Sequence, residues 1–345
     1  MSNIIHCILV FFTALAATFL MTPPVVRFAL RHGIVDKPGE RRVNVRIVAR
    51  FGGPAMFFGF VAACFVAWPY VDGMLWILLG ASIIVATGVI DDVRTLSAGV
   101  KLVGQVGAAV LMFATGSRLE FITNPLGGYF YFPLWLSFLF TVFWIVGVTN
   151  TLNLIDGLDG LAAGITCIAS LTFLLVSVQK GQIESALLAA LMAGVTAGFL
   201  RWNFYPAKTF MGDSGALFLG FMVSVIALKG AFKSTTVLSF LVPVLALGVP
   251  IFDTSFAIVR RVKARQPVMT APDKGHLHHR LLAAGWRHRD AVLLMYIITL
   301  ALSVAALLII RAWWLALYLV AGIIVLTGLL IALGKIKPSK GKSHG

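Results

Sequence analysis

Residues 160–178 read GLAAGITCIASLTFLLVSV, a run of 19 residues without a charged side chain. An apolar helix of about 20 residues is long enough to cross the hydrocarbon core of a bilayer. No proline interrupts the run, so every backbone N–H group inside it can donate within a helix. The stretch therefore predicts a membrane-spanning helix.

The whole chain shares this apolar character. Of its 345 residues, 59% are hydrophobic and 12% are charged, and the mean hydropathy is +0.96. Soluble domains carry about 25% charged residues. The composition excludes an ordinary soluble protein and indicates an integral membrane protein.

Eleven apolar segments predict an all-α polytopic membrane protein with eleven transmembrane helices. They lie at about 3–22, 51–70, 73–90, 99–116, 134–151, 160–178, 183–200, 213–230, 236–258, 291–309 and 312–334. We expect residues 1–334 to form a single integral membrane domain and residues 335–345 to form a basic cytoplasmic tail. An odd number of spans places the two ends of the chain on opposite sides.

The basic residues divide unequally between the two faces that this topology creates. One face collects 23 of the 28 Lys and Arg residues. By the positive-inside rule this face is cytoplasmic, so we predict the N-terminus outside and the C-terminus inside. The net charge of +15 is then explained by topology and by anionic partners at the membrane, without nucleic-acid binding.

Acidic residues favour the same basic face, although topology does not require them. Ten of the 13 are predicted there, and five of the ten lie at the ends of spans three, five and eight: Asp91, Asp92, Asp156, Asp159 and Asp213. Because acids are costly near hydrocarbon, the group indicates a site. Carboxylates beside many cations suit a divalent metal ion that holds a phosphate ester.

Two motifs come first along the chain. Asp91 and Asp92 are adjacent, so charge repulsion raises the pKa of one of the two carboxyl groups and favours its use as a base. Lys101, further along the chain, is either a phosphate ligand or a snorkelling residue. The second motif, NTLNLIDGLDGLAAG at 150–164, repeats a polar residue every third position. Its members Asn150, Asn153, Asp156 and Asp159 form one polar stripe if the segment is helical.

Two further motifs follow. The motif RWNFYPAKTFMGDSG at 201–215 contains Asn203 and places Asp213 at the start of a span. There Asp213 either caps the helix or lies beside a metal-bound phosphate. The loop 273–290 carries His276, His278, His279 and Arg280. We expect this loop to contact a diphosphate or a sugar, with a plain basic loop as the alternative. For Asp253, membership of the site and an interfacial charge are equally supported.

The chain resembles the polyprenyl-phosphate N-acetylhexosamine-1-phosphate transferases, in their WecA/TagO-like branch, through four motifs that occur in the same order. The motifs are DD-x-R with a downstream Lys, N-x-x-N-x-x-DG-x-DGLA, N-x-x-PA-x-x-FMGDSG and H-x-HHRL. The resemblance covers residues 36–286. It implies an eleven-span fold in a bacterial inner membrane with a cytoplasmic site. The implied reaction, which initiates cell-envelope glycan synthesis, transfers N-acetylglucosamine 1-phosphate from UDP-GlcNAc to undecaprenyl phosphate with Mg²⁺ or Mn²⁺ and releases UMP.

The resemblance also implies roles for single residues. Asp213 is the expected metal ligand, and Asp91, Asp92, Asp156 and Asp159 are the expected catalytic carboxylates. The expected substrate-binding residues are Lys101, Asn150, Asn153, Asn203, His276, His278, His279 and Arg280. Two positions in the loop after the first span depart from the family's usual pattern. Asn44 stands where His is usual, and Ala49-Arg50 stands where Pro-Arg is usual.

Three alternatives remain open at this point. The HLHHRL loop favours N-acetylglucosamine over the phospho-MurNAc-pentapeptide of a sibling family, but another UDP-HexNAc donor fits the same pattern. A CDP-alcohol phosphotransferase is disfavoured because Gly164 stands where its motif needs Arg. A transporter is disfavoured because the charges gather at one face. The sequence leaves open whether the protein forms a homodimer.

Overall fold

The computed structural model describes residues 2–36, 47–123, 128–230, 241–267, 275–310 and 312–334. Most of them are helical. The helices are α1 Ser2–Arg31, α2 Gly52–Ala67, α3 Met74–Val93, α4 Ala98–Ala114, α5 Leu134–Ile155, α6 Leu161–Gln179, α7 Ile183–Asn203, α8 Gly212–Lys229, α9 Leu241–Ala246, α10 Gly248–Lys263, α11 Leu277–Ala283, α12 His288–Ile309 and α13 Trp313–Gly334. The predicted tail at 335–345 and Asn44 lie outside the described residues.

Eight helices of the described chain are long and apolar enough to cross a membrane: α1, α2 with the 3₁₀ turn Trp68–Tyr70 that follows it, α3, α5, α6, α7, α8 and α12. The shorter apolar helix α4 and the apolar segment Trp314–Val325 of α13 occupy the positions of predicted spans four and eleven. The predicted all-α polytopic membrane fold is confirmed.

The predicted ninth span, 236–258, is not one helix. In its described part α9 ends at Ala246 and α10 begins at Gly248. Pro250 has no N–H group with which to bond the carbonyl of Ala246, so the helical ladder is broken there. α10 then continues to Lys263 and turns one apolar face, with Phe252 and Phe256, away from the rest of the protein.

α8 lies at the centre of the bundle, and nearly all of its side chains are buried. Two neighbouring helices approach its first turn through glycines. A Cβ added at Gly53 of α2 would collide with the Ser214 hydroxyl, and one added at Gly88 of α3 would collide with the Ser214 backbone. The N-terminus of α8 is therefore packed against α2 and α3 at one end of the bundle.

A small sheet holds the loop after α1 against the segment before α8. Its strands are β1 Val35–Asp36, β2 Val48–Arg50 and β5 Thr209–Phe210, in the order β1-β2-β5. β2 pairs antiparallel with β1 and parallel with β5, so that Arg50 lies opposite Phe210. The second sheet, β3 Phe121–Thr123 with β4 Tyr129–Tyr131, connects α4 to α5.

A proline in α1 helps to anchor α7. Pro23 has no N–H group, so the carbonyl of Phe19 loses its usual helical donor. The indole Nε1 of Trp202 donates to this oxygen at 3.2 Å. The end of α7, which leads into β5 and α8, is thereby fixed to α1.

Candidate active site

Asp213 lies in the first turn of α8, and each of its carboxylate oxygens accepts a hydrogen bond from a cation. Arg50 Nη2 is 2.5 Å from Oδ1, and Lys101 Nζ is 2.9 Å from Oδ2. Met211 occupies the N-cap position of α8 without a side-chain hydrogen bond. Asp213 therefore does not act as the simple cap that its sequence position allowed.

Asp92 of α3 caps α8 instead. Its Oδ1 accepts from the backbone N of Asp213 at 2.7 Å, and its Oδ2 accepts from the backbone N and the hydroxyl of Ser214 at 3.2 and 2.6 Å. These are the N2 and N3 positions, where caps normally bond. Gly212 has φ +71°, and a side chain there would collide with the Asp92 carboxylate. The Asp92 side chain is fully buried, and its hydrogen bonds join α3 to α8 at the site.

Asp91 is held by different donors. Its Oδ1 accepts from the backbone N of Leu96 at 2.7 Å, and its Oδ2 accepts from Lys101 Nζ at 3.2 Å. Lys101 consequently bridges the carboxylates of Asp91 and Asp213. This position is inside the candidate site, so Lys101 is more than a snorkelling residue.

The expected polar stripe on one helix does not form, because α5 ends at Ile155. Asp156 and Asp159 lie in the bend between α5 and α6 instead. Asp156 is half-buried, and no described residue donates a hydrogen bond to its carboxylate. Burial raises the pKa of Asp156 to about 7, and the negative charge of Asp213 adds to this rise. A carboxylate of this kind can take up a proton near neutral pH.

The two asparagines remain on α5. Asn150 exchanges two hydrogen bonds with Gln105 of α4, with its Nδ2 2.6 Å from Gln105 Oε1 and its Oδ1 3.2 Å from Gln105 Nε2. This amide pair joins two helices inside the bundle. Asn153 is half-buried one turn before the bend, on the approach to Asp156.

Asp159 and Asn203 form a second polar cluster that holds main chain. Asp159 Oδ2 accepts from the backbone N of Ala207 at 2.9 Å, and its own N–H donates to His288 Nε2 at 2.9 Å. Asn203 is 2% exposed. Its Oδ1 accepts from the backbone N of Gly160 at 3.1 Å, and its Nδ2 donates to the Thr209 carbonyl at 3.0 Å. Both side chains tie the bend after α5 to the segment before α8.

The histidine loop packs against the same bend. Asp253 Oδ2 lies 2.8 Å from His276 Nδ1, and its Oδ1 accepts from the backbone N of Leu277 at 2.8 Å. His278 is buried, and its Nε2 lies where a Cβ of Gly157 would be. Burial lowers the pKa of His278 to about 4, so this ring is neutral near pH 7.

The other two predicted loop residues are more accessible. His279 is half-buried beside His278, with the two ring centroids 4.3 Å apart, and Arg280 is exposed. Asp253, which the sequence left undecided, is thus a residue that positions this loop.

The residues fit a hard divalent cation. Among the described residues, no three or more His, Cys, Asp or Glu side chains converge as a metal cage. However, Mg²⁺ is usually held by one or two carboxylates together with water and phosphate oxygens. The Lys101 ammonium group, which lies between an oxygen of Asp91 and an oxygen of Asp213, marks a position where two carboxylates already stabilise positive charge.

The sequence motifs therefore converge in space, but not all their residues face one point. Asp91, Asp92 and Asp213 meet, and Asp156 is close enough to sense the charges of Asp92 and Asp213. Asp159 and Asn203 belong to the neighbouring cluster. Arg50 and His288, which contact Asp213 and Asp159, were not among the residues predicted for the site. The sequence singled out Arg50 only as one of many basic residues and in the Ala49-Arg50 pair, although its position directly before Phe51-Gly52-Gly53 was a signal for close packing.

Carboxylates and cations gather at one end of a helical membrane bundle, which is the arrangement expected of an integral membrane protein that binds phosphate esters. Residues 74–231 match the family described as glycosyl transferase family 4. The chain is 42% identical, over 94% of its length and 90% of the relative's, to a probable undecaprenyl-phosphate N-acetylglucosaminyl 1-phosphate transferase of Bacillus subtilis.

Two other relatives are more distant. The chain is 37% identical to a decaprenyl-phosphate N-acetylglucosaminephosphotransferase of Mycobacterium tuberculosis, over 84% of this chain and 79% of the relative. It is 30% identical to a phospho-N-acetylmuramoyl-pentapeptide-transferase of Moorella thermoacetica, over 85% of this chain and 95% of the relative. The chain therefore belongs to glycosyl transferase family 4, and the predicted resemblance to polyprenyl-phosphate N-acetylhexosamine-1-phosphate transferases is confirmed.

Proposed function

We propose that this chain transfers N-acetylglucosamine 1-phosphate from UDP-GlcNAc to a polyprenyl phosphate, undecaprenyl phosphate in the first instance, and releases UMP. The central observation is the cluster of Asp91, Lys101 and Asp213 at one end of a membrane bundle whose Bacillus subtilis relative is named for this transfer. The higher identity to that relative than to the pentapeptide transferase favours the N-acetylglucosamine donor.

In the reaction a phosphate oxygen of the lipid attacks the β-phosphorus of UDP-GlcNAc. The new bond joins the lipid phosphate to this phosphorus, and the bond from the phosphorus to the bridging oxygen of UMP breaks. Such transfers need mainly positioning and charge neutralisation. Lys101 and Arg50 supply positive charge, and Asp156 accepts the proton of a lipid phosphate that arrives protonated.

Asp213, with Asp91 beside it, would hold Mg²⁺ or Mn²⁺. When bound, the ion would neutralise charge on the diphosphate. Asp92 keeps the first turn of α8 in place, so that Asp213 is presented at a fixed position. Asp159, Asn203 and His278 position the bend that carries Asp156, and Arg280 is accessible to the sugar or its phosphates.

The site faces the cytoplasm of a bacterial inner membrane in this proposal. It lies at the end of the bundle that carries Arg201 and Lys208 as well as Arg50 and Lys101, which is the basic side by sequence. Residues 1–334 act as one transferase domain, and the basic tail lies on the same side.

A transfer assay tests the proposal. Purified protein in detergent is incubated with UDP-[¹⁴C]GlcNAc, undecaprenyl phosphate and Mg²⁺, and the label is extracted into butanol. We expect lipid-bound label that is lost with EDTA or in Asp213→Ala and retained in Asp290→Ala, a matched change of an exposed acid. Absence of transfer, or equal transfer by Asp213→Ala, would contradict the proposal. Other UDP-HexNAc donors in parallel identify the preferred sugar.

A further inference from the structure

Arg50 is anchored through its backbone, and its side chain ends in an ion pair with Asp213. Its N–H donates to the Ile34 carbonyl at 3.1 Å within the small sheet, and the neighbouring Ala49 carbonyl accepts from the Thr209 hydroxyl at 3.0 Å. The Arg50 side chain is 39% exposed. The sheet thus fixes the backbone from which a long, partly exposed cationic side chain reaches Asp213.

Any metal ion that binds Asp213 directly competes with a cation already there. Asp213 has two oxygens, and Arg50 and Lys101 bond one each. Lys101 has a second carboxylate partner, Asp91, to which it can remain bonded.

Arg50 has no equivalent second partner among the described residues. The nearest alternative is Asp92, 3.8 Å from Arg50 Nε, and its oxygens already accept from Asp213 and Ser214. Arg50 is therefore the cation that a metal ion on Asp213 would release.

A released guanidinium would lie next to the phosphates that the metal holds. Arginine presents a planar fork of N–H donors that matches two phosphate oxygens. We propose that Arg50 is a phosphate-binding residue that exchanges partners: it pairs with Asp213 until a divalent ion takes this carboxylate, and then binds the diphosphate of the donor. This inference rests on the proposed function, in which Asp213 is the metal ligand and the donor is a nucleoside diphosphate sugar.

Metal binding without turnover provides the first test. Mn²⁺ is titrated into purified wild-type protein and Arg50→Gln, and free Mn²⁺ is followed by electron paramagnetic resonance. Because the substitution removes a competitor for Asp213, we expect Mn²⁺ to bind about threefold to tenfold more tightly. Unchanged or weaker binding would overturn the inference, since a purely structural role for Arg50 would leave Asp213 less well placed.

Donor binding provides the second test. We expect Arg50→Gln to raise the KM for UDP-GlcNAc about tenfold, with a smaller fall in kcat. Arg50→Lys keeps the charge without the fork of N–H donors, so its changes in KM and kcat should be smaller and in the same directions. This variant replaces Arg50→Gln if Arg50→Gln does not fold. An unchanged KM in a folded Arg50 variant would overturn the exchange.

A matched control is Arg31→Gln, which changes an exposed arginine at the end of α1. It should alter neither the Mn²⁺ affinity nor the KM for UDP-GlcNAc. Failure of the wild-type protein to transfer would count against the proposed function. A wild type that transfers, alongside an Arg50 variant with unaltered Mn²⁺ affinity, would count against this inference alone.

Discussion

At the scale of single residues, the two neighbouring aspartates of α3 have different tasks. Asp92 is buried and satisfies two backbone N–H groups of α8, whereas Asp91 faces Lys101. Adjacent residues on a helix point in different directions, so one motif can serve both the fold and the chemistry.

The capping role predicts a stability effect. Asp92→Ala leaves two buried N–H groups and the Ser214 hydroxyl without their acceptor, so we expect a loss of about 2 kcal/mol or more of unfolding free energy. Asp213→Asn keeps the cap and should lose transfer activity with a smaller change in thermal midpoint. Tryptophan fluorescence during heating in detergent measures both. Equal midpoints for Asp92→Ala and wild type would contradict the assigned role.

The raised pKa of Asp156, about 7, predicts a pH dependence. Below this pH the carboxyl group is protonated and cannot accept a proton, so the transfer rate should rise from about pH 6 to pH 8. Asp156→Asn should be slower and should keep only the titration of the lipid phosphate itself. Initial rates across this range provide the measurement. An unchanged inflection and rate in Asp156→Asn would exclude Asp156 as the proton acceptor.

Sequence reasoning found the acids of the site but not the cation that pairs with Asp213. Asp91, Asp92 and Asp213 stood out because carboxylates are rare in an apolar chain and need a reason. Arg50 did not stand out among 28 basic residues. Its contact with Asp213 spans 163 positions and depends on strands of two and three residues, which have no readable periodicity.

At the scale of elements, hydropathy identified most helices but not where they end. The motif at 150–164 looked like a continuous polar stripe, yet α5 stops at Ile155 and a bend carries both of its aspartates. The predicted ninth span contains Pro250, whose missing N–H group divides the described part of the span into α9 and α10. Breaks of this kind depend on local hydrogen bonding, which an average over 19 residues does not detect.

The contact between the bend and the histidine loop predicts a steric effect. Gly157→Ala places a methyl group on His278 Nε2, and His278 is 2% exposed and cannot easily move. We expect a loss of about 1–3 kcal/mol of stability and a drop in transfer. Adding His278→Ala to this variant should recover part of the stability.

Gly147 of α5 provides the matched control for this substitution. A Cβ at Gly147 meets nothing within 4 Å, so Gly147→Ala should be neutral or slightly stabilising. Thermal midpoints of the wild type and the three variants test the contact. Equal behaviour of Gly147→Ala and Gly157→Ala would show that the bend and the histidine loop are not in contact.

At the scale of the whole molecule, composition and run length predicted a helical membrane bundle, and the eight long apolar helices confirm this coarse result. The orientation of the bundle rests on the charge asymmetry of its loops and remains a prediction. The three native cysteines, Cys7, Cys64 and Cys167, are buried and therefore poorly accessible to a thiol reagent, so single reporter cysteines can be introduced beside them.

The topology predicts which reporters an impermeant maleimide reaches in intact cells. Thr95 and Glu120 are both exposed; Thr95 precedes the start of α4, and Glu120 follows its end. We expect Glu120→Cys to be labelled from outside and Thr95→Cys to be labelled only after the membrane is opened. The reverse pattern would place the site on the external face and contradict a cytoplasmic donor.

The central claim is that a phosphate moves together with the sugar, and the fate of the β-phosphorus tests it most directly. Wild-type protein is given UDP-GlcNAc labelled with ³²P in the β-phosphate, undecaprenyl phosphate and Mg²⁺. We predict that the ³²P enters the lipid fraction and that unlabelled UMP forms in equal amount. Label that leaves as UDP while the sugar joins the lipid, or that stays in the donor, would contradict the account.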